Sequence, residues 1–332
     1  IGTNTRRIQV IDTLITNVTT DDRGNITHLH ADGLCLPCDF VFDCSGFHRL
    51  LIGKHFQSRW NSYQSQLPVN KALPFFLPET EMIPPYTDSI AMRYGWMWRI
   101  PKLDDLGNGY AFNNNFIDEN EAQREIEELL GHQIEPVKYI KYNAGRLAST
   151  WNKNVLSIGL SSSFLEPLEA TSVHGTIIQL NLFNFTHLKP TLEMTMNEAS
   201  INSFNRTVSN MLDDFKLFLA IHYLGGRKDT DFWIDAREKI EKNDRIMELY
   251  EIAKTRLLNQ SDLTYSFGCA GAELYNWIFC GLKIFNKQQA KKEMEILNRK
   301  FGARQQELSL ANYLKSFEGI RWIKNKDILN AI

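Results

Sequence analysis

Glu169 is the residue of this sequence best placed for proton chemistry. It stands in Gly159-Leu160-Ser161-Ser162-Ser163-Phe164-Leu165-Glu166-Pro167-Leu168-Glu169-Ala170-Thr171-Ser172, where a strand leads through a turn into a helix predicted to start near Thr171. Backbone N–H groups at a helix start have no partner inside the helix and attract anions. A carboxylate beside such an anion site and an aromatic ring is a proton acceptor. Acids are also favoured at helix starts for electrostatic reasons alone, so plain capping is the competing account.

Two further segments have chemical character. Asp43-Cys44-Ser45-Gly46-Phe47 closes an apolar run at 39–46 that reads as a buried strand, and Gly46 would let a cofactor approach the backbone closely. Trp96-Met97-Trp98-Arg99-Ile100-Pro101 alternates so that Trp96, Trp98 and Ile100 share one face of a strand. An aromatic sheet core is the simpler reading of that face.

Other chemistries find little support. Cys35-Leu-Pro-Cys38 has no second pair to complete a zinc site, and it sits between predicted strands, where no helix end would stabilise a thiolate. It reads as cysteines in a hairpin connection. The 8 histidines show no metal spacing, and His222-Tyr223, inside an apolar helical run, reads as a packed core pair. Neither a G-x-S-x-G nucleophile turn nor either glycine-rich phosphate loop occurs among the 19 glycines.

The elements that must position these residues are predicted as follows. Runs at 8–18 and 25–31 form a β-hairpin around the turn at 21–24. Strands at 90–100 and 109–117, separated by Gly107-Asn108-Gly109, belong to a second antiparallel sheet. A helix at 118–131 is capped by Asp118 and stopped by Gly131, a strand covers 154–160, and beyond about 195 the pattern is helical. The 332 residues then divide into a sheet-containing body at 1–190 and a mostly helical region at 191–332. With 43% hydrophobic and 23% charged residues the composition is that of an ordinary soluble globular protein. No run approaches the ~20 apolar residues of a membrane span. The 37 basic and 39 acidic residues give a net charge of −2, which speaks against a nucleic-acid partner. Five sparse cysteines fit a reducing compartment, hence a cytoplasmic location.

Together these segments resemble the flavin-dependent halogenases, the tryptophan-halogenase-like proteins. Trp96-x-Trp98-x-Ile100-Pro101 matches the family's W-x-W-x-I-P motif, residues 164–172 its F-[LV]-E-P-L-E-[SA]-T-[GS] block, and Asp43 to Phe47 its D-C-[ST]-G-F segment. Trp151 to Gly159 resembles the strand before the second cofactor contact. Phe204-Asn205-Arg206, His222-Tyr223 and Asp231-Phe232-Trp233 are similar to its helical region.

The resemblance implies an α/β fold: a FAD-binding, flavoprotein-monooxygenase-like core with an antiparallel substrate sheet and a helical C-terminal region. It implies that reduced FAD from a separate flavin reductase, with O2 and a halide, yields hypohalous acid, which a Lys holds beside an electron-rich, indole-like ring. It gives Glu169 the catalytic role, Thr171 and Ser172 the halide through backbone N–H groups, and Asp43, Gly46, Gly159, Leu160 and Val173 the flavin. Trp96, Trp98, Ile100 and Pro101 form the partition between flavin and substrate. Tyr265, Phe267 and Trp277 are candidates for stacking on the substrate ring. An aromatic monooxygenase and a non-catalytic scaffold are the alternatives, and a homodimer stays open. The family's glycine loop and activating Lys have no counterpart among these residues, which begin at Ile1, so the expectation is that this chain alone binds FAD poorly and does not halogenate.

Overall fold

The structure, a computed structural model, describes residues 8–78, 86–102, 104–188, 197–264 and 270–300. Contacts gather the chain into two units, each built from separated stretches. The first takes in Ile1–Asn61, Arg146–Phe164 and Ser172–Asn210, and the second Ser62–Gly145, Leu165–Thr171 and Met211–Ile332. The expected division near residue 190 falls at 189–196, outside the described residues.

In the first unit the hairpin forms between Ile15–Thr20 and Ile26–Ala31, and Leu34–Pro37 adds a third antiparallel strand. The first strand starts later than predicted. Residues 8–14 share its β-branched pattern but stay largely exposed and pair with no strand among the described residues. Cys35 lies within the third strand, paired with His30, and not in a connection. Val41–Asp43 runs parallel to Val155–Ser157, with Ser157 opposite Asp43. The Asn154 side chain accepts from the Ile26 N–H at 2.8 Å and donates to the carbonyls of Ile26 and Asp39, joining hairpin to parallel pair. Trp151, 1% exposed, packs among Phe183, His187 and Phe204. Asn205 fixes it there, accepting from the Trp151 N–H at 2.9 Å and donating to its carbonyl at 2.8 Å.

The second unit holds a five-stranded antiparallel sheet in the order Ile140–Lys141, Lys71–Pro78, Asp105–Phe112, Gly95–Pro101, Asp88–Ala91. One face buries Leu73, Phe75, Met97, Tyr110 and Phe112 against Ala122 and Ile126 of the helix Glu119–Leu130. Each such side chain contributes about 1.5–3 kcal/mol through burial. That helix starts and stops as its sequence predicts. Asp118 and Glu121 form a reciprocal capping box, and Gly131 closes it at φ +74°. Glu125 adds a tie to the sheet, accepting from the Tyr110 hydroxyl at 2.9 Å and the Arg93 N–H at 2.6 Å.

Two strand predictions are corrected. The run at 90–100 is two strands, because Met92 turns back to bond the Gly95 carbonyl. Gly107-Asn108-Gly109 is not a turn but the middle of the strand Asp105–Phe112, with Gly109 opposite Trp98. The chain turns back after Pro101 instead, where the Lys102 N–H bonds the Asp105 carbonyl and the two side chains form a 2.6 Å ion pair.

The helical region follows the long-period pattern. The helix Glu198–Ala220 runs into a short turn, Ile221–Leu224, and Asp231–Glu241, Asp244–Thr255, Ala272–Gly281 and Lys287–Lys300 come after it. Trp233 docks the second of these helices on the sheet unit by donating its indole N–H to the Met92 carbonyl at 2.8 Å. Among the described residues no helix is long and apolar enough to cross a membrane.

Candidate active site

Because side chains alternate along a strand, Met97 points into the core while Trp96, Trp98 and Ile100 line a cleft on the opposite face. The cleft has a volume of about 330 Å³; Ser89, paired with Trp98 on the neighbouring strand, and Thr87 line it as well, together with residues 167–170. The Trp96 and Trp98 rings meet at 5.9 Å between centroids. Two segments singled out separately in the sequence, the tryptophan strand and the Glu169 block, thus share one cleft of a size suited to a small aromatic molecule. Pro101 ends the strand opposite Leu106.

Glu169 adopts φ +59° and Ala170 φ +49°, both left-handed and neither a glycine. Each such residue carries a backbone cost of about 1–2 kcal/mol, and the result is a carboxylate presented at the cleft instead of laid along a helix. It caps no helix. Its Oε1 lies 3.3 Å from Nε2 of His222. The Nδ1 of that imidazole faces the carbonyls of Phe218 and Leu219 at 3.2 and 3.1 Å. The hydrogen bond from His222 holds the Glu169 carboxyl below its usual range, against a smaller upward push from burial.

Three residues earlier, Glu166 is 1% exposed, and the Tyr223 hydroxyl stands 3.1 Å from both its oxygens. Burial pushes the Glu166 carboxyl up to about 8, the Tyr223 bond acting in the opposite sense. His222 and Tyr223 were expected as a packed pair. Tyr223 is indeed buried, but both residues hold carboxyls of the Glu-Pro-Leu-Glu segment. No sequence signal marked this, since the partners lie 53 and 57 positions away.

Thr171 and Ser172 open the helix Thr171–His187, and their hydroxyl oxygens are buried without a hydrogen-bond partner. An unsatisfied buried hydroxyl is costly, and two of them at a helix start, a place that attracts anions in general, suit a small polar or anionic guest.

The remaining candidates gather in the first unit. Asp43 is 3% exposed, and its carboxylate accepts from the Ser45 N–H and hydroxyl and from the N–H groups of Leu51 and Ile52 at 2.9 and 2.8 Å. These bonds hold the loop that follows the strand in shape. Gly46 at φ +65° and Gly159 at φ +67° stand just past the ends of the two parallel strands, in short helical turns that pack on each other. A Cβ would meet nothing within 4 Å at Gly46, and only the Thr176 hydroxyl at 3.8 Å from Gly159. Leu160 and Val173 are 37% and 64% exposed. Open glycine backbone at the carboxyl ends of parallel strands, next to exposed apolar side chains, fits the edge of a flat cofactor.

The family model described as tryptophan halogenase matches residues 3–295. The chain belongs to the tryptophan halogenase family. Among curated members, tryptophan 6-halogenase ThaL of Streptomyces albogriseolus is 31% identical over 293 residues, 83% of this chain and 54% of that protein. Tryptophan 7-halogenase RebH of Lentzea aerocolonigenes is 33% identical over 233 residues, 68% of this chain and 43% of its own length. The crystal structure of the tryptophan 6-halogenase SttH from Streptomyces toxytricini superimposes with a TM-score of 0.75 at 27% identity, covering 86% of this chain and 59% of that one. The chain thus spans about half the length of the curated halogenases it matches.

For this member of the tryptophan halogenase family, the expected ring-stacking residues stand apart from the cleft or beyond view. Trp277 is 70% exposed on the helix Ala272–Gly281 and does not line the cleft, and Tyr265 and Phe267 lie outside the described residues. Among the described residues no group of three or more His, Cys, Asp or Glu is placed to hold a metal ion.

Proposed function

We propose that these residues form the aromatic-substrate side, and part of the flavin side, of a FAD-dependent halogenase acting on an electron-rich ring such as an indole or tryptophan. One observation carries this reading: the cleft that sets Glu169 against Trp96, Trp98 and Ile100. When bound, reduced FAD supplied by a separate reductase provides, with O2, the oxidising equivalents that convert halide to hypohalous acid.

The chain's own residues then have distinct tasks. Gly46, Gly159, Leu160 and Val173 offer backbone and apolar surface to the flavin, and Asp43 keeps their loop in shape. The N–H groups and orphaned hydroxyls of Thr171 and Ser172 bind the halide. Trp96 and Trp98 wall the organic ring into a water-poor cleft and seat it by aromatic contact.

In the substitution itself the ring carbon attacks the halogen of hypohalous acid, the halogen–oxygen bond breaks with its electron pair going to oxygen, and the ring becomes a cation bearing one hydrogen too many. The Glu169 carboxylate accepts that proton, restoring aromaticity, and passes it to the departing hydroxide. The balance is an aromatic C–H and hypohalous acid giving a carbon–halogen bond and water. An ionised carboxylate is the form this step needs, and the hydrogen bond from His222 favours it.

The test compares the natural protein that carries these residues with its Glu169→Gln variant. Bromination of tryptophan should fall by ~100-fold or more, with flavin binding unchanged; wild-type turnover in the variant would remove Glu169 from the mechanism.

A further inference from the structure

The turn Ile221–Leu224 meets the Glu-Pro-Leu-Glu segment twice. His222 reaches Glu169 at 3.3 Å and Tyr223 reaches Glu166 at 3.1 Å. Neighbouring residues of one short turn therefore hold the two carboxyls that flank Pro167 and Leu168. We infer that this turn is the positioning element of the catalytic carboxylate: Tyr223 anchors the strained segment from beneath through Glu166, and His222 fixes the direction of Glu169 at the cleft. The inference rests on the reading of Glu169 as the proton acceptor and says what makes that residue fit for the task.

Three observations lead to it. Glu169 and Ala170 are held in consecutive left-handed conformations, which persist only where surrounding contacts over-determine them. The buried Glu166–Tyr223 bond is such a contact, since leaving either group unpaired there is unfavourable. Next, Nδ1 of His222 lies against the carbonyls of Phe218 and Leu219, which fixes the ring with its Nε2 turned to Oε1 of Glu169. Finally, His222 is 22% exposed at the side chain against 45% for Glu169. The imidazole is the embedded, fixed partner, and the carboxylate is the one that faces outward. No other charged side chain contacts this pair among the described residues; the Phe218 ring covers the imidazole edge-on at 5.6 Å.

Two kinds of measurement decide the matter, one of them independent of turnover. In the 332-residue chain, carboxyl-13C NMR, with Glu169 assigned by its loss in Glu169→Gln, follows the titration of that side chain. The midpoint should move up in His222→Phe and move up less in His222→Gln, whose amide donates a hydrogen bond without a charge. Tyr223→Phe, which keeps the ring and removes the hydroxyl, should move it in the same direction by loosening the segment. An unchanged midpoint in properly folded His222→Phe and His222→Gln overturns the role of His222. An unchanged midpoint in Tyr223→Phe overturns the anchor.

In the natural protein, His222→Phe should lower kcat ~10-fold or more, leave the aromatic substrate's KM within about twofold, and raise the acid limb of the pH profile. His222→Gln should recover part of the loss. Should the wild type fail to halogenate at all, the proposed function falls, while the carboxyl titration still decides the grip of the turn on Glu169.

Discussion

The indole of Trp98 lies directly over Gly109 of the neighbouring strand, so close that a Cβ there would stand 2.0 Å from its Cζ2 and 2.4 Å from its Cη2. This contact gives the cleft its flat wall, and it explains why a glycine sits in the middle of a strand, where it weakens the backbone.

Gly109→Ala should therefore push the Trp98 ring out of place. Overpacking of this kind costs about 1–3 kcal/mol, so Tm should fall and tryptophan emission should change. Gly107→Ala is the control, because its Cβ would come no nearer than 3.5 Å to the Lys102 side chain. Equal behaviour of the two variants in thermal denaturation would contradict the contact.

Glu166 makes stability depend on pH. Its carboxyl is raised in the folded chain to about 8 from an ordinary value of 4.5, so the folded state binds the proton more tightly than the unfolded one. The stabilisation is complete below about 4.5 and is lost as pH rises through about 8. Glu166→Gln, which keeps the shape and cannot ionise, should flatten this part of the profile. Denaturant unfolding of both proteins between those values checks it, and parallel profiles would show that Glu166 is ionised when buried.

Asp43 is the acceptor for the N–H groups of Leu51 and Ile52. Asp43→Ala should leave both buried donors unpaired and cost ~3 kcal/mol or more. In Asp43→Asn the amide nitrogen must face one of the donors, so rescue should be partial. Hydrogen exchange at Leu51 and Ile52 should accelerate in both variants; unchanged exchange would mean that other acceptors suffice.

What the sequence made legible was local. The helix at 119–130 could be read from Asp118, Glu121 and Gly131 because caps act within a few residues. The shared face of Trp96, Trp98 and Ile100 followed from strand periodicity. What it concealed depends on partners far away. Gly107 to Gly109 resemble a turn, and only the Trp98 ring across the sheet reveals why glycine is needed in that strand. His222 and Tyr223 have apolar neighbours along their own helix, which gives no hint of Glu169 and Glu166. Nor did the residues around Asp43 show that one of its oxygens takes the N–H groups of Leu51 and Ile52, eight and nine residues on.

The central claim is that this cleft serves halogenation of an aromatic ring. The direct measurement incubates the natural protein with FAD, a flavin reductase, NADH, O2, bromide and tryptophan or indole, and reads the product by mass spectrometry. The account predicts replacement of one ring hydrogen by bromine, with both bromine isotopes visible. A product that gains oxygen and no halogen would contradict it.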